Sequence, residues 1–213
     1  MKHAIKTDFG FYSILTDPIR GYEYLAELLV EFEVPFLQLR MKTEDKFAVL
    51  KTAEKIRKIT ENSKTIFIVN DFLQIAKDSG ADGVHIGQGD TSPLDARAFL
   101  GENAIIGLST HNINETKAAQ DEPIDYIGIG PVYATPTKQI PDPVLGLENM
   151  KQMVDATKHP SVCIGGIDFE RIKAVLQAGA HNFCVVRLLN QAENPKDILQ
   201  KILQEYERYC VYR

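Results

Sequence analysis

Eight short apolar runs alternate with eight longer helical stretches along this chain, and that alternation restricts the fold more than any other feature. The runs are Phe11–Leu15, Phe36–Arg40, Thr65–Asn70, Gly83–Ile86, Ile105–Ser109, Tyr126–Ile129, Ser161–Ile164 and Phe183–Val186. Most are continuous β-branched and aliphatic residues, the pattern of strands buried on both faces of a parallel sheet. Between them the spacing predicts helices over Gly21–Phe32, Thr43–Asn62, Phe72–Ser79, Pro93–Leu100, Ile113–Gln120, Leu147–Thr157, Phe169–Ala178 and Pro195–Tyr209. The second carries Phe47, Leu50, Ala53, Ile56 and Ile59 at helical intervals. Pro93 and Pro195 suit a first helical turn, and Gly80 and Gly179 suit helix ends. Open doubly wound sheets alternate in the same way. The count of eight, the short helices and the 213-residue length favour a single-domain (β/α)8 TIM barrel.

Composition adds exclusions. A net charge of −5 with no basic stripe argues against a nucleic-acid partner. No run nears the ~20 apolar residues that span a bilayer, and no signal peptide is visible, so a cytoplasmic enzyme without a membrane partner is expected. Cys163, Cys184 and Cys210 fit no zinc spacing, and the first two lie in apolar runs that suit core packing. The oligomeric state, including a homo-oligomer, is left open.

In such a barrel the C-terminal ends of the strands converge on the active site. Those ends supply Thr16-Asp17, Gln38 with Arg40 and Lys42, Asn70-Asp71, His85 with Gln88 and Asp90, Ser109-Thr110-His111, Thr135-Pro136-Thr137-Lys138, Gly165-Gly166 and Arg187. Each has a plainer use: Asn70-Asp71 as a helix cap, Asp90 in a turn, His111 in local packing, Gly165-Gly166 as a tight turn. Together they form three groups. Arg40, Lys42 and Lys138 bring cations suited to a diphosphate. Asp71 and Asp90 are two carboxylates on neighbouring strand ends, the usual protein share of a Mg²⁺ site. Gly165-Gly166 offers bare backbone N–H groups to a second phosphate. The stretch Gly130–Gly146, with four prolines, is a long loop expected to act as a lid carrying Lys138.

These motifs resemble the thiamine-phosphate synthase family, from about Ile14 to Asn190. Thr16-Asp17-Pro18, Gln38-Leu39-Arg40-Met41-Lys42, Asn70-Asp71, Gly80 through Gln88, Ser109-Thr110-His111, Thr135-Pro136-Thr137-Lys138 and Ile164-Gly165-Gly166-Ile167 match in order. The resemblance implies a Mg²⁺-dependent transferase joining a hydroxymethylpyrimidine diphosphate to a thiazole phosphate. It implies that Gln38, Leu39, Arg40, Met41, Lys42, Asn70, Ser109 and Lys138 contact the diphosphate substrate, with Arg40, Lys42, Lys138 and Ser109 catalytic. Asp71 and Asp90 would hold the metal. Thr135, Pro136, Thr137, Gly165, Gly166, Val186 and Arg187 would line the thiazole phosphate site. Met41 and Gly89 stand where the family usually has Glu, and Arg187 where it usually has Ser. The rival readings are the related thiazole tautomerase, where His111 would be the residue to watch, and a non-catalytic phosphate-binding barrel.

Overall fold

The computed structural model describes residues 5–43, 45–135 and 142–211, with side chains through Tyr209. Eight parallel strands close on themselves in sequence order: β1 Phe11–Leu15, β2 Phe36–Leu39, β3 Ile66–Asn70, β4 Gly83–Ile86, β5 Ile105–Thr110, β6 Tyr126–Ile129, β7 Ser161–Cys163 and β8 Asn182–Cys184. β1 pairs with both β2 and β8, which completes the barrel. The helices are α1 Tyr22–Glu31, α2 Lys46–Thr60, α3 Leu73–Ser79, α4 Pro93–Leu100, α5 Ile113–Ala118, α6 Gly146–Ala156, α7 Phe169–Gln177, α8 Arg187–Asn190 and α9 Pro195–Val211. Four of them begin on side-chain caps: Asp45, Ser92, Asn112 and Asp168 each accept backbone N–H groups of the first turn.

Alternation along each strand divides the core in two. Phe67, Val69, Ile106, Ile127 and Phe183 point outward and pack under the helices. Tyr12, Phe36, Ile68, Ile105, Tyr126, Val162 and Cys184 point inward and fill the barrel. Each fully buried Leu, Ile or Phe side chain contributes roughly 1.5–3 kcal/mol of hydrophobic stabilisation. On α2 the buried stripe is Val49, Ala53, Ile56 and Thr60. Phe47, expected in that stripe, is 68% exposed because it precedes Val49 by two residues, about 200° round the helix, and so faces away from the buried side.

Acidic residues stitch the N-terminal end of the barrel. Asp82, just before β4, accepts from Arg57 Nη1 at 3.0 Å and from the Phe67 N–H at 2.8 Å. Asp125, just before β6, accepts from Arg97 Nη2 at 2.8 Å and from the Ile106 N–H at 2.9 Å. Arg97 also donates to the carbonyls of Ala104 and Pro123. Two asparagines seal the seam between the first and last strands. Asn182 accepts from the Phe9 and Gly10 N–H groups and donates to Thr7 and Ser161. Asn190 donates to the Ile14 and Val186 carbonyls and accepts from the Thr16 N–H.

The eighth strand differs from its expected form. It ends at Cys184, and Arg187 opens the short helix α8 instead of closing a strand. Val186 already has φ −99° and ψ −71°, and Asn190 pins the turn to β1.

Candidate active site

A cavity of about 740 Å³ opens at the C-terminal end of the barrel. Gln38, Arg40, Lys42, Asn70, Asp71, Asp90, Ser109, Thr135, Gly165, Gly166, Val186 and Arg187 all line it. Leu39 and Met41 do not. The pleat that turns Gln38 inward turns its neighbour outward, so Leu39 is 1% exposed in the core beneath the helices, and Met41 packs against that same core. Neither residue lines the cavity, contrary to the substrate contact expected of both. Pro136, Thr137 and Lys138, with the centre of the expected lid, lie outside the described residues.

One side of the cavity is charged. Arg40 follows β2 and is tied by its N–H to the Leu15 carbonyl. Burial lowers its guanidinium pKa, and the charges of Asp71 and Asp17 oppose that shift. Asp71 follows β3 in a left-handed conformation (φ 63°), held by a hydrogen bond from its N–H to the His85 carbonyl. Aspartate tolerates this region better than most residues, and such strain gathers at functional sites. Burial raises the Asp71 carboxyl pKa, the negative charge of Asp90 raises it further, and Lys42 pulls the other way. Lys42 Nζ lies 3.4 Å from Asp71 Oδ2 with its side chain 55% exposed, so it compensates weakly. Asp90 Oδ2 accepts the Gly87 N–H at 2.8 Å. This pair of oxygen donors suits a hard divalent cation completed by water and phosphate oxygens, although the described residues contain no group of three or more candidate ligands.

The opposite side is built from backbone. Gly165 and Gly166 have φ 102° and 62°, and a Cβ on either would lie within 2.7 Å of residues 131–134. Only glycine lets the β6 and β7 loops meet, which they do through bonds from the Val132 and Tyr133 N–H groups to the Ile164 and Gly165 carbonyls. Arg171 clasps the turn: its Nη1 donates to the Gly166 carbonyl at 2.7 Å, and its guanidinium sits 4.7 Å from the Tyr133 ring centre. Among the described residues, the N–H groups of Gly165 and Gly166 and the exposed guanidinium of Arg187 have no partner.

Across the cavity floor runs a chain of polar side chains. Gln38 Nε2 donates to Tyr12 Oη at 2.9 Å. Tyr12 Oη lies 2.8 Å from Tyr126 Oη, and Tyr126 Oη lies 3.0 Å from His85 Nδ1. His85 Nε2 lies 2.9 Å from Ser109 Oγ. Burial raises the pKa of both phenols, so they stay protonated. Tyr12, Tyr126 and Arg171 were absent from the sequence-based site. A signal existed for the tyrosines: at inward positions of buried strands, each hydroxyl needs a partner that a phenylalanine would not.

The fold and this mouth define a (β/α)8 barrel whose cavity is framed by charged residues on one side and a glycine turn on the other. A family model described as thiamine monophosphate synthase matches residues 14–189. The chain is 41% identical over 182 residues to a thiamine-phosphate synthase of Gloeobacter violaceus, covering 85% of this chain and 53% of that protein. It is 34% identical to a thiamine-phosphate synthase of Shouchella clausii, covering 93% of this chain and 97% of that one. The chain thus spans about half the length of several curated relatives and nearly all of others. A solved thiamine phosphate pyrophosphorylase from Pyrococcus furiosus superposes with a TM-score of 0.84 at 27% identity, over 94% of this chain and 96% of that one. A 3-hexulose-6-phosphate synthase structure, at 17% identity and a TM-score of 0.64, shares the fold alone. The chain belongs to the thiamine monophosphate synthase family.

Proposed function

We propose that this chain condenses 4-amino-2-methyl-5-(diphosphooxymethyl)pyrimidine with thiazole phosphate to give thiamine phosphate and diphosphate. The observation that carries this reading is the two-sided cavity: Arg40, Lys42, Asp71 and Asp90 on one side, Gly165, Gly166 and Arg187 on the other. Two phosphorylated substrates would meet between two unlike anion sites. The thiazole nitrogen forms a C–N bond to the pyrimidine's exocyclic methylene, while the C–O bond breaks and its electron pair leaves with diphosphate. Arg40, Lys42 and Asn70 bind the diphosphate and stabilise the charge gathering on it. Gln38 and Ser109 orient the pyrimidine ring. Gly165, Gly166, Thr135, Val186 and Arg187 hold the thiazole phosphate close to the reacting carbon, so the encounter is largely prepaid in entropy.

Asp71 and Asp90 would hold Mg²⁺, for which the charge surplus at Asp71 is suited. The ion would supply Lewis-acid neutralisation of the leaving diphosphate. No side-chain nucleophile is required. Cys184, the cysteine in the cavity wall, is fully buried and its thiol pKa is pushed up by that burial, which disfavours a thiolate. Both ring nitrogens of His111 face carboxylates, Nδ1 with Glu115 at 3.0 Å and Nε2 with Asp142 at 3.4 Å. That arrangement gives little support to His111 as the base of a tautomerase. The test is to mix the protein with both substrates and Mg²⁺ and assay thiamine phosphate. No product, with isomerisation of the thiazole instead, would transfer the assignment to the tautomerase.

A further inference from the structure

The polar chain across the cavity floor has a property that none of its members has alone. Each phenol carries one proton, and so does a neutral imidazole. Gln38 Nε2 gives its proton to Tyr12, so the Tyr12 proton is available only to Tyr126. The Tyr126 proton then goes to His85 Nδ1, the His85 proton resides on Nε2, and Nε2 donates to Ser109 Oγ. Ser109 is left with a proton to give to the cavity, and Gln38 with a carbonyl oxygen to accept one. If the Gln38 amide were turned over, every donation would reverse, and Ser109 would present lone pairs and Gln38 an NH₂. Mixed arrangements leave a fully buried phenol without an acceptor or set two protons against each other, and both are disfavoured where water cannot compensate. The two ends, on β2 and β5, are therefore locked to one another.

The strands are shaped for this. A Cβ on Gly107 would lie 2.1 Å from Tyr126 Cζ and 2.5 Å from its hydroxyl oxygen. One on Gly128 would lie 3.3 Å from His85 Cε1. Both glycines occupy inward positions, where a side chain would press on the two central members of the chain.

We propose that Tyr126 is a positioning residue whose hydroxyl, acting through Tyr12 and His85, fixes Gln38 as an acceptor and Ser109 as a donor toward the ligand. That polarity reads an aminoheterocycle, which offers an amine N–H to Gln38 and a ring-nitrogen lone pair to Ser109. The proposal rests on the pyrimidine reading above, and it adds the residues that enforce the choice. Nitrogen-15 NMR of histidine-labelled, ligand-free protein, at a pH where His85 is neutral, should show the Nε2–H tautomer. Tyr126→Phe removes one hydroxyl with little change of shape. It should populate both tautomers and raise the KM for the pyrimidine diphosphate about tenfold, the equivalent of roughly one buried hydrogen bond. The KM for thiazole phosphate should stay within about twofold, since the thiazole site shares no member of the chain. A wild-type Nδ1–H tautomer overturns the proposal, and so does a Tyr126→Phe protein that keeps both the tautomer and the KM. If that variant does not fold, the wild-type tautomer still decides. Lack of turnover by the wild-type protein would strike the synthase reading and leave the tautomer result standing.

Discussion

At the N-terminal end of the barrel, Asp125 Oδ2 receives both the Arg97 guanidinium and a backbone N–H. At the C-terminal end, Asp71 faces another carboxylate, and its nearest ammonium stands 3.4 Å away in solvent. Asp82 with Arg57 repeats the first pattern, while Arg187, without a partner among the described residues, repeats the second. The same residue types thus hold the strands in register at one end and leave electrostatic demand unmet at the other. The paired acids lie at one mouth and the proposed ligand site at the other, so substitutions at the two ends should separate folding from turnover.

The largest effect is expected at the closed end. Arg97→Ala leaves Asp125 buried without its cation and should cost about 3–5 kcal/mol, a fall in Tm of roughly 10 °C. Calorimetry reads the fall, and kcat/KM per folded molecule should stay at the parent value. A selective loss of activity would erase the division between the ends. At the open end, Asp71→Asn should reduce turnover about 10²-fold, the scale of one lost electrostatic contact to a developing charge. Steady-state assays with a Mg²⁺ titration check this, and unaltered metal dependence would remove Asp71 from the proposed cation site. Arg187→Ser should raise the KM for thiazole phosphate about tenfold and spare that for the pyrimidine diphosphate. Improved catalysis in that variant would mark Arg187 as an obstruction.

The smallest effect concerns the stability of the ligand-free protein. The folded-state pKa of Asp71 is raised by burial and by Asp90, so its ionised form opposes folding. That penalty is full above the folded value and vanishes as pH falls below the usual aspartate range. Asp71→Asn should therefore melt a few degrees above the parent at neutral pH, with the gap narrowing on acidification. Mg²⁺ should raise the parent's Tm and not the variant's. Melting curves across pH, with and without the ion, test both statements.

Much of this architecture is legible in the sequence because each strand carries its own signal. The strand cores of the eight runs stand where continuous apolar stretches predict them, and many of the polar residues at their ends line one cavity, whereas Thr16, Asp17 and Gln88 do not and Pro136, Thr137 and Lys138 lie outside the described residues. What is lost is whatever depends on facing. The contiguous motif Gln38 to Lys42 invites a single role, yet the pleat sends Leu39 into the core. The apolar stretch Val185-Val186 looks like more strand, yet the backbone turns there because Asn190 is captured by Ile14, residues far away in sequence. The Tyr12–Tyr126 contact joins β1 to β6 across the barrel, and no local pattern announces it.

The asparagine seam has a consequence for how the chain comes into being. A polypeptide leaves the ribosome from its N-terminus, and domains generally fold as units. Until residues 182–190 have been translated, β1 lacks its second neighbour and presents an open strand edge, a ready template for mispairing. Arg40, Asp71 and Asp90 are by then long since made, but the cavity wall formed by Val186 and Arg187 is not. Closure arrives in one late event, when the eighth strand docks, and a nascent chain stalled short of Asn182 should still expose that edge.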